Sequence, residues 1–359
     1  MIVQKLSLTQ FKNHIDRQFE FSPQINCFVG NNGVGKTNVL DALHYLSMGK
    51  SFLGNTDMNN IATGENFFGI ESQIDDGEKE NTIKILLQKE GKKIIRKNDK
   101  PYDRIADHIG FLPSVMISPY DSNLITDSGE SRRRFLDSMI SQTDSEYLFN
   151  LIQYQKTIQQ RNALLKSFAK NRYFDAENLE IYNAPLGQLG TFIFQKREAF
   201  IASVSDLIQS YYQIISNGQE TVSVLYQSDL STQSFDEILL QNKEKDRVLT
   251  YTSRGIHKDD LLFEMNGSSM KKTASQGQQK SFLIALKLSQ IKRIIEITGK
   301  TPIVLLDDIF DKLDDLRVAQ LIELVNHEKF GQIFITDTHK ERTENVVKKI
   351  NEESKIFEI

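Results

Sequence analysis

The sequence predicts an α/β protein whose main domain is assembled from both ends of the chain, with a mainly helical arm inserted between them. Three observations support this prediction. A strand, a glycine-rich loop and a helix follow one another within residues 25–46. Two runs near the C-terminus, 303–306 and 332–336, are apolar on both faces, as in the centre of a parallel sheet. Between 131 and 215, one proline and few glycines interrupt a helical apolar pattern.

Composition narrows the class of protein before any motif is considered. A chain of 359 residues is long enough for two compact lobes. The net charge of −4 argues against an obligate nucleic-acid coat protein but leaves room for local basic patches. No apolar run reaches the roughly 18 residues of a membrane span, and Met1 to Phe11 lacks the layout of a signal peptide. We therefore expect a soluble, cytoplasmic protein without a membrane partner, in which the one cysteine, Cys27, is buried.

The N-terminal third predicts two strands, a helix and a meander. Residues 2–8 and 25–29 have strand patterns, and the helix that follows the glycine-rich loop carries Leu40, Leu43 and Leu46 on one side. From 67 to 96, short strand patterns alternate with turn signals, which is typical of antiparallel strands joined in sequence.

The middle of the chain predicts the arm. Within 131–215, apolar residues recur mostly at steps of three, four or their sum, so we expect antiparallel helices that pack on each other. Strand patterns return at 221–226 and 260–265, and Asn266-Gly267 marks a hairpin turn. We therefore assign residues 1–130 and 221–359 to a discontinuous head and residues 131–220 to the helical arm.

The strongest motif is a phosphate-binding loop, Gly30 to Thr37, which matches G-x-x-x-x-G-K-[ST] between a predicted strand and a predicted helix. Glycines let the backbone wrap a phosphate so that successive N–H groups point at it, and the helix N-terminus adds positive potential. We expect Lys36 to bridge the β- and γ-phosphates of ATP and Thr37 to ligate Mg²⁺. The predicted ATP contacts of the loop are Gly30, Asn31, Asn32, Gly33, Val34, Gly35, Lys36 and Thr37.

A second motif, Leu305-Leu306-Asp307-Asp308, ends a predicted buried strand with two carboxylates. Such a strand delivers charge to the sheet edge where the phosphate loop also lies. We expect Asp307 to hold Mg²⁺, directly or through water, and Asp308 to act in catalysis with Lys36 by orienting the attacking water. Most of the chain separates Lys36 from Asp307, so the head must combine both chain ends.

A third motif, Ser275-Gln276-Gly277-Gln278-Gln279-Lys280, opens a predicted helix that extends to about residue 297. It resembles the ABC signature, in which a serine and a glycine at a helix N-terminus meet a γ-phosphate, and Ser275, Gly277 and Gln278 are the predicted contacts. The alternative is an ordinary N-cap in which Ser275 and Gln278 form a capping box. Asp311 to Asp314 resembles the D-loop of the same class.

The chain as a whole resembles one family, the RecF proteins, which are bacterial recombination-mediator ATPases related to the SMC proteins. The resemblance runs nearly end to end. Its segments are Phe11-Lys12-Asn13-His14, the phosphate loop, Gly49 to Phe52, Ile117 to Pro119, Arg132 to Asp137, Arg254 to Asp260, the signature segment and Asp307-Asp308. Because the first segment belongs to the family pattern, Lys12 and Asn13 join the predicted ATP contacts.

The resemblance implies an ATP-dependent homodimer that binds DNA, both single-stranded and at junctions between single and double strands. It also implies loading of recombinase at gaps with RecO and RecR, and roles in DNA replication restart and the SOS response. Most ABC ATPases carry glutamate where this chain has Asp308, so we expect slow hydrolysis. The usual switch histidine is absent after the strand at 333–336, where Asp337 or Thr338 falls, and the role of His339 stays open.

Two other classes of protein share the phosphate loop. A P-loop small-molecule phosphotransferase explains the loop but not the signature segment or the inserted arm. A transporter ATPase subunit is disfavoured by the absent glutamate and by the arm. The DNA-contact residues are not assigned, because basic runs such as Arg132 to Arg134 and Lys156 to Arg172 are most often solvated faces. The segment from Arg254 to Asp260 is either a structural loop or a functional one.

Overall fold

The computed structural model describes residues 1–54, 56–216, 218, 220–308, 330–350 and 353–359. The chain divides into two compact units. The first contains residues 1–121, 214–218 and 280–359, and the second contains 122–213 and 219–279. The strands are β1 (Ile2–Phe11), β2 (His14–Glu20), β3 (Ile25–Val29), β4 (Phe67–Asp75), β5 (Glu80–Gln88), β6 (Ile94–Lys97), β7 (Lys100–Pro101), β8 (Ser114–Ile117), β9 (Val222–Gln227), β10 (Asp260–Met265), β11 (Ser268–Ser269), β12 (Ile303–Leu306), β13 (Ile333–Asp337) and β14 (Lys355–Glu358).

The described α-helices are α1 (Lys36–Met48), α2 (Asn123–Thr126), α3 (Gly129–Ser141), α4 (Ser145–Asn171), α5 (Ala176–Ser216), α6 (Phe235–Gln241), α7 (Lys243–Leu249), α8 (Met270–Thr273), α9 (Gln276–Thr298) and α10 (Lys340–Ile350). None of them is long and apolar enough to cross a membrane.

The first unit contains a parallel sheet in the order β14-β3-β13-β12-β8. β3 comes from the N-terminal part of the chain, and its two neighbours, β13 and β14, come from the C-terminal part. The side chains of β3, β12 and β13 are all buried, which agrees with their continuous apolar sequences. The predicted assembly of the head from both chain ends is therefore confirmed.

A second, antiparallel sheet of the same unit has the order β2-β1-β4-β5-β6-β7. Its strands β4, β5 and β6 form the predicted meander, each paired antiparallel with the next. Alternate side chains of β4 and β5 are buried, as expected for a sheet with one covered face, whereas the register of β1 shifts after Val3 and interrupts the alternation. One buried cluster joins side chains of both sheets and α1, and it includes Leu6, Leu8, Phe11, Phe28, Leu40, Leu43, Leu46, Phe68, Ile85, Leu305 and Phe334.

The second unit contains the helical arm. The start of α4 contacts the later part of α5, where Lys196 pairs with Asp144, and the later part of α4 contacts the earlier part of α5, where Arg161 donates to Asn183. The two helices are thus antiparallel, as predicted. Inside the unit, Arg161 is fully buried and pairs with Asp246 at 2.8 Å. Such a pair contributes to stability only when both partners keep their hydrogen bonds.

The unit boundary differs from the predicted domain boundary. The prediction placed residues 122–130 and 221–279 with the head, whereas they group with the arm in the structure. Residues 214–218, predicted as part of the arm, group with the head. β9 pairs antiparallel with β10, and Arg132 of α3 forms two hydrogen bonds with Asp260 at the start of β10. These contacts, which join distant parts of the sequence, explain the grouping. Local sequence patterns carry no information about them.

Candidate nucleotide-binding site

The phosphate loop connects the buried strand β3 to α1, as the sequence predicts. Gly30, Gly33 and Gly35 have φ angles of 155°, 83° and 111°, which L side chains rarely adopt. At Gly30, an added Cβ atom would lie 2.8 Å from the carbonyl oxygen of Ile359, which follows β14. The glycines at these positions are therefore required by backbone conformation and, at Gly30, also by close packing.

The turn between β1 and β2 supports the loop from one side. The side-chain amide of Asn13 donates to the Val34 carbonyl oxygen at 2.8 Å and accepts from the Asn38 side chain at 2.7 Å. His14 Nε2 lies 3.1 Å from the Gly35 carbonyl oxygen, and burial lowers the pKa of this histidine. Asn13, a predicted ATP contact, is thus brought to the loop. His14 was not among the predicted contacts, although it belongs to the same sequence segment.

Lys36 points its ammonium group into the loop. Its Nζ donates to the carbonyl oxygens of Gly30 and Asn31, both at 2.9 Å, and the residue is only 5 % exposed. A cation held at the centre of a ring of backbone groups at a helix N-terminus suits a polyphosphate.

The two aspartates at the end of β12 meet the phosphate loop. Asp307 Oδ1 accepts hydrogen bonds from Thr37 and from Thr336, each at 2.8 Å. Thr336 Oγ1 in turn accepts from the backbone N–H of Asp308 at 2.9 Å. Burial raises the pKa of Asp307, the two threonine hydrogen bonds oppose this, and the charge of Asp308 adds to it. The structure thus brings together three predicted residues and adds Thr336 on β13, which the prediction did not include.

Thr37 and Asp307 offer the kind of oxygen ligands that Mg²⁺ prefers. Mg²⁺ usually binds through one or two carboxylates, substrate phosphates and several waters rather than in an all-protein cage. The residues therefore fit a magnesium ion that arrives with a nucleotide.

Lys12, another predicted ATP contact, has a protein partner in this structure. Its ammonium lies 2.5 Å from Asp41 Oδ2, and both side chains are buried. Asp41 lies within α1 and also accepts hydrogen bonds from the Ser51 hydroxyl and the Phe52 N–H, each at 2.7 Å. This carboxylate therefore ties the segment at 49–52 to α1. An aspartate inside an otherwise apolar stretch of helix was the sequence signal that the prediction passed over.

The signature segment begins α9 within the second unit. Ser275 N donates to Gln278 Oε1 at 2.8 Å, and Gln278 N donates to Ser275 Oγ at 3.3 Å. These two bonds form the capping box that was the alternative interpretation of the segment. Ser275 is exposed and Gly277 is half-buried. The structure thus shows the cap, and an additional role of Ser275 toward a nucleotide stays a prediction.

Several other residues singled out in the sequence have structural partners. Arg132 binds Asp260 with two hydrogen bonds, and Arg133 donates to the Asp259 carbonyl oxygen at 2.6 Å. His257 is bonded to Tyr154 at 2.8 Å, and burial lowers its pKa to about 4. These contacts favour the structural interpretation of both segments.

Three other features singled out in the sequence are His339, the predicted D-loop and Cys27. His339 is exposed at the start of α10. The predicted D-loop, Asp311 to Asp314, lies outside the described residues. Cys27 is buried, as predicted.

Comparison with known proteins shows the family of the chain. Residues 2–357 match the family model described as RecF/RecN/SMC N terminal domain. The DNA replication and repair protein RecF of Flavobacterium johnsoniae is 50 % identical over the full length of both chains. That of Phocaeicola vulgatus is 43 % identical and covers 100 % of this chain and 96 % of the relative.

Solved structures give the same assignment. This chain is similar to a solved structure described as the recombination mediator protein RecF-ATP in the RecFOR pathway. The two agree with a TM-score of 0.87 at 28 % sequence identity, over 94 % of this chain and 92 % of the other. An SMC head bound to the C-winged helix domain of ScpA has a TM-score of 0.55 at 14 % identity, with 96 % and 92 % coverage, and shows the fold alone. The chain has an ATPase head built from both chain ends, and it matches RecF proteins over its full length. It therefore belongs to the RecF family, within the group defined by the RecF/RecN/SMC N terminal domain.

Proposed function

We propose that this chain is an ATP-dependent DNA-binding protein of recombinational repair that dimerises on ATP. The observation that carries the proposal is the meeting of the phosphate loop with the strand-end aspartate, where Thr37 and Asp307 lie 2.8 Å apart. The RecF relatives and the RecF-ATP structure support ATP as the nucleotide. They favour this function over the phosphotransferase alternative.

In the proposed mechanism, the residues of one head bind the nucleotide and a second copy completes the site. The N–H groups of residues 30–37 would surround the phosphates, Lys36 would bind the β- and γ-phosphates, and Thr37 with Asp307 would hold Mg²⁺. The ion would neutralise charge on the phosphates. Asp308 would orient the attacking water. Its shorter side chain holds water less favourably than glutamate, so slow, Mg²⁺-dependent hydrolysis is expected.

The switch would operate through the γ-phosphate. Ser275 and Gly277 of a second copy would contact this phosphate only in the closed dimer, so ATP would favour that dimer. Hydrolysis would remove the γ-phosphate and, with it, this contact between the two copies. DNA would be bound by the dimer, in single-stranded form or at junctions between single and double strands. Membership of the RecF family supports recombinase loading at single-strand gaps with RecO and RecR, together with roles in replication restart and the SOS response. A protein with these tasks works in the cytoplasm.

Sedimentation velocity with and without MgATP tests the proposal. We expect wild-type protein to shift from monomer to dimer on addition of ATP, and Ser275→Arg to bind ATP but remain monomeric. Lys36→Met should weaken nucleotide binding itself, whereas Asp308→Asn should bind ATP and retain the dimer because hydrolysis is slowed. An unchanged mass of the wild type in ATP, or full ATP-driven dimerisation of Ser275→Arg, would show that the proposal is wrong.

A direct assay addresses the DNA part of the proposal. The mass of the protein is determined with and without ATP, in the presence of gapped duplex, fully paired duplex or single-stranded DNA. We expect a complex with gapped DNA in the samples that contain ATP and none in the samples without it. ADP release should be measured in parallel with DNA and with candidate small-molecule phosphate acceptors. If a small-molecule acceptor stimulates ADP release and DNA does not, the phosphotransferase alternative is favoured.

A further inference from the structure

Two of the three glutamines of the signature segment, Gln278 and Gln279, form hydrogen bonds at the start of α9. Gln278 Oε1 accepts from Ser275 N at 2.8 Å, and Gln279 Nε2 donates to the Ala274 carbonyl oxygen at 3.1 Å. These amide groups are therefore engaged in shaping the start of α9. Ser275 and Gly277 are the residues of the segment that its resemblance to the ABC signature would place against a γ-phosphate.

The cap and an anion can be bound by Ser275 at the same time. A serine hydroxyl has one hydrogen to donate and two lone pairs to accept with. Because Ser275 Oγ accepts the Gln278 N–H at 3.3 Å, its own hydrogen is free to point away from the helix. The capping box thus fixes the position of the hydroxyl oxygen while it leaves the donor available to a phosphate oxygen.

Glu220 determines which way the Gln278 amide faces. Glu220 immediately precedes the start of the strand region at 221–227, and its Oε1 accepts from Gln278 Nε2 at 2.9 Å. A carboxylate only accepts hydrogen bonds, so it binds the NH₂ group of Gln278 and turns the amide oxygen toward Ser275 N. The other carboxylate oxygen, Oε2, is buried and receives no hydrogen bond from the part of the chain that the structure describes.

The arm helix α5 holds Glu220 in place. Gln209 donates from Nε2 to the Glu220 carbonyl oxygen at 3.3 Å and accepts the Val222 N–H at 2.7 Å. The backbone on either side of residue 221 is thus clamped by one side chain. A continuous series of hydrogen bonds leads from Gln209 through Glu220 and Gln278 to Ser275.

We propose that Glu220 is a positioning residue for nucleotide binding in trans, and that Gln278 acts through Ser275 rather than by touching the nucleotide. Through the Gln278 amide, Glu220 keeps the Ser275 hydroxyl in the geometry that receives the γ-phosphate held by a second copy. This inference rests on the proposed function of Ser275. It adds a residue that lies 55 positions away in sequence and outside every motif described above.

The test measures the dimer dissociation constant by sedimentation in a non-hydrolysable ATP analogue with Mg²⁺. We expect Glu220→Ala to raise this constant about tenfold, the change expected from loss of one charge-assisted hydrogen bond. Glu220→Gln keeps an acceptor oxygen and should lie close to wild type. Glu198→Ala, which removes an exposed carboxylate of α5, is the matched control and should change nothing.

Two further measurements separate positioning from general damage. Nucleotide affinity, measured at concentrations too low for dimers, should be the same in Glu220→Ala as in wild type. The double variant Glu220→Ala/Gln278→Ala should dimerise no more weakly than Gln278→Ala alone, since both act through one path. Thermal unfolding checks that each variant is folded. If Glu220→Ala is not folded, Gln278→Ala decides the test, because it removes the partner of the same hydrogen bond and should also weaken the dimer.

The possible results are distinguishable. If Ser275→Arg abolishes the dimer and Glu220→Ala does not weaken it, the positioning role is wrong and the proposed function stands. The same conclusion follows if Glu220→Ala and Gln278→Ala weaken the dimer additively. If Ser275→Arg dimerises like wild type, the trans site itself is wrong and the inference falls with it.

Discussion

Gly35→Ala probes the phosphate loop directly. The Cβ atom would lie 2.5 and 2.6 Å from the side-chain atoms of Asn13 and 2.8 Å from His14 Nε2, at a φ of 111°. An L residue in a left-handed conformation costs about 1–2 kcal/mol. Moving the Asn13 side chain breaks its hydrogen bonds to Val34 and Asn38, at about 0.5–1.5 kcal/mol each. If nucleotide binding requires the observed loop, the total of about 2–5 kcal/mol predicts about 30- to 5,000-fold weaker ATP binding.

Two other glycines separate backbone strain from collision. Gly33 has a φ of 83°, but a Cβ there would meet nothing within 4 Å, so Gly33→Ala should cost strain alone, about 5- to 30-fold in affinity. Gly64 has a φ of 89° in equally open space outside the loop, and Gly64→Ala should leave ATP binding unchanged. Isothermal titration of each variant with MgATP gives the affinities.

The collision itself is tested in an Asn13→Ala background. Removal of the Asn13 side chain opens space for the added methyl group, so Gly35→Ala should lower affinity less in this background than in the wild type. Equal effects in both backgrounds would refute the steric argument. Wild-type affinity of Gly35→Ala would refute the view that the loop keeps this conformation when it binds nucleotide.

Three further predictions concern buried groups. Asp307→Asn keeps the acceptor oxygen and removes the charge of a carboxyl group whose pKa burial raises, so wild-type stability should fall relative to the variant as pH rises above about 4. Thermal unfolding without nucleotide should therefore give the variant the higher Tm near neutral pH and an equal Tm at the acid end. MgATP should stabilise the variant less than the wild type. Arg161→Met should destabilise the protein by about 3–5 kcal/mol in urea unfolding, and adding Asp246→Leu should recover part of that loss; a Met variant as stable as wild type would contradict the buried pair. Burial raises the pKa of the Cys27 thiol to about 12, so iodoacetamide at pH 8 should label it only after unfolding, and rapid labelling of folded protein would show that the strand opens.

The sequence identified the parts of the site that depend on local chemistry. The phosphate loop has a fixed spacing of glycines, lysine and threonine, and β12 is marked by its apolar run before Asp307. The long helices were visible because their apolar residues recur with a helical period. Such signals arise within single elements, so they can be recognised without knowledge of neighbours.

Elements that depend on distant partners were not predicted. β2 has only two buried residues, His14 and Phe19, in a mostly exposed strand, so it shows little alternation. β8 and β14 are short strands at the two edges of the parallel sheet, where pairing with β12 and β3 rather than local pattern defines them. The placement of residues 221–279 with the arm depends on contacts such as Arg132 with Asp260 for the same reason.

The contacts of single side chains within the site were also beyond the sequence. The family pattern placed Lys12 among the ATP contacts, and only the fold shows that Asp41 and Lys12 meet. Thr336 was part of a predicted strand, but its bond to Asp307 requires β12 and β13 to be parallel neighbours in register. Motifs thus identified which residues take part, whereas the arrangement between them came from the topology.

The order of strands in the parallel sheet has a consequence for biosynthesis. When the ribosome releases β3 and the phosphate loop, the strands that flank them, β13 and β14, are still untranslated, because nearly all of the remaining chain lies between. β3 therefore stays unpaired on both edges through most of translation. A nascent chain that stops before β13 cannot form this nucleotide site, so premature products should neither bind ATP nor compete with finished molecules.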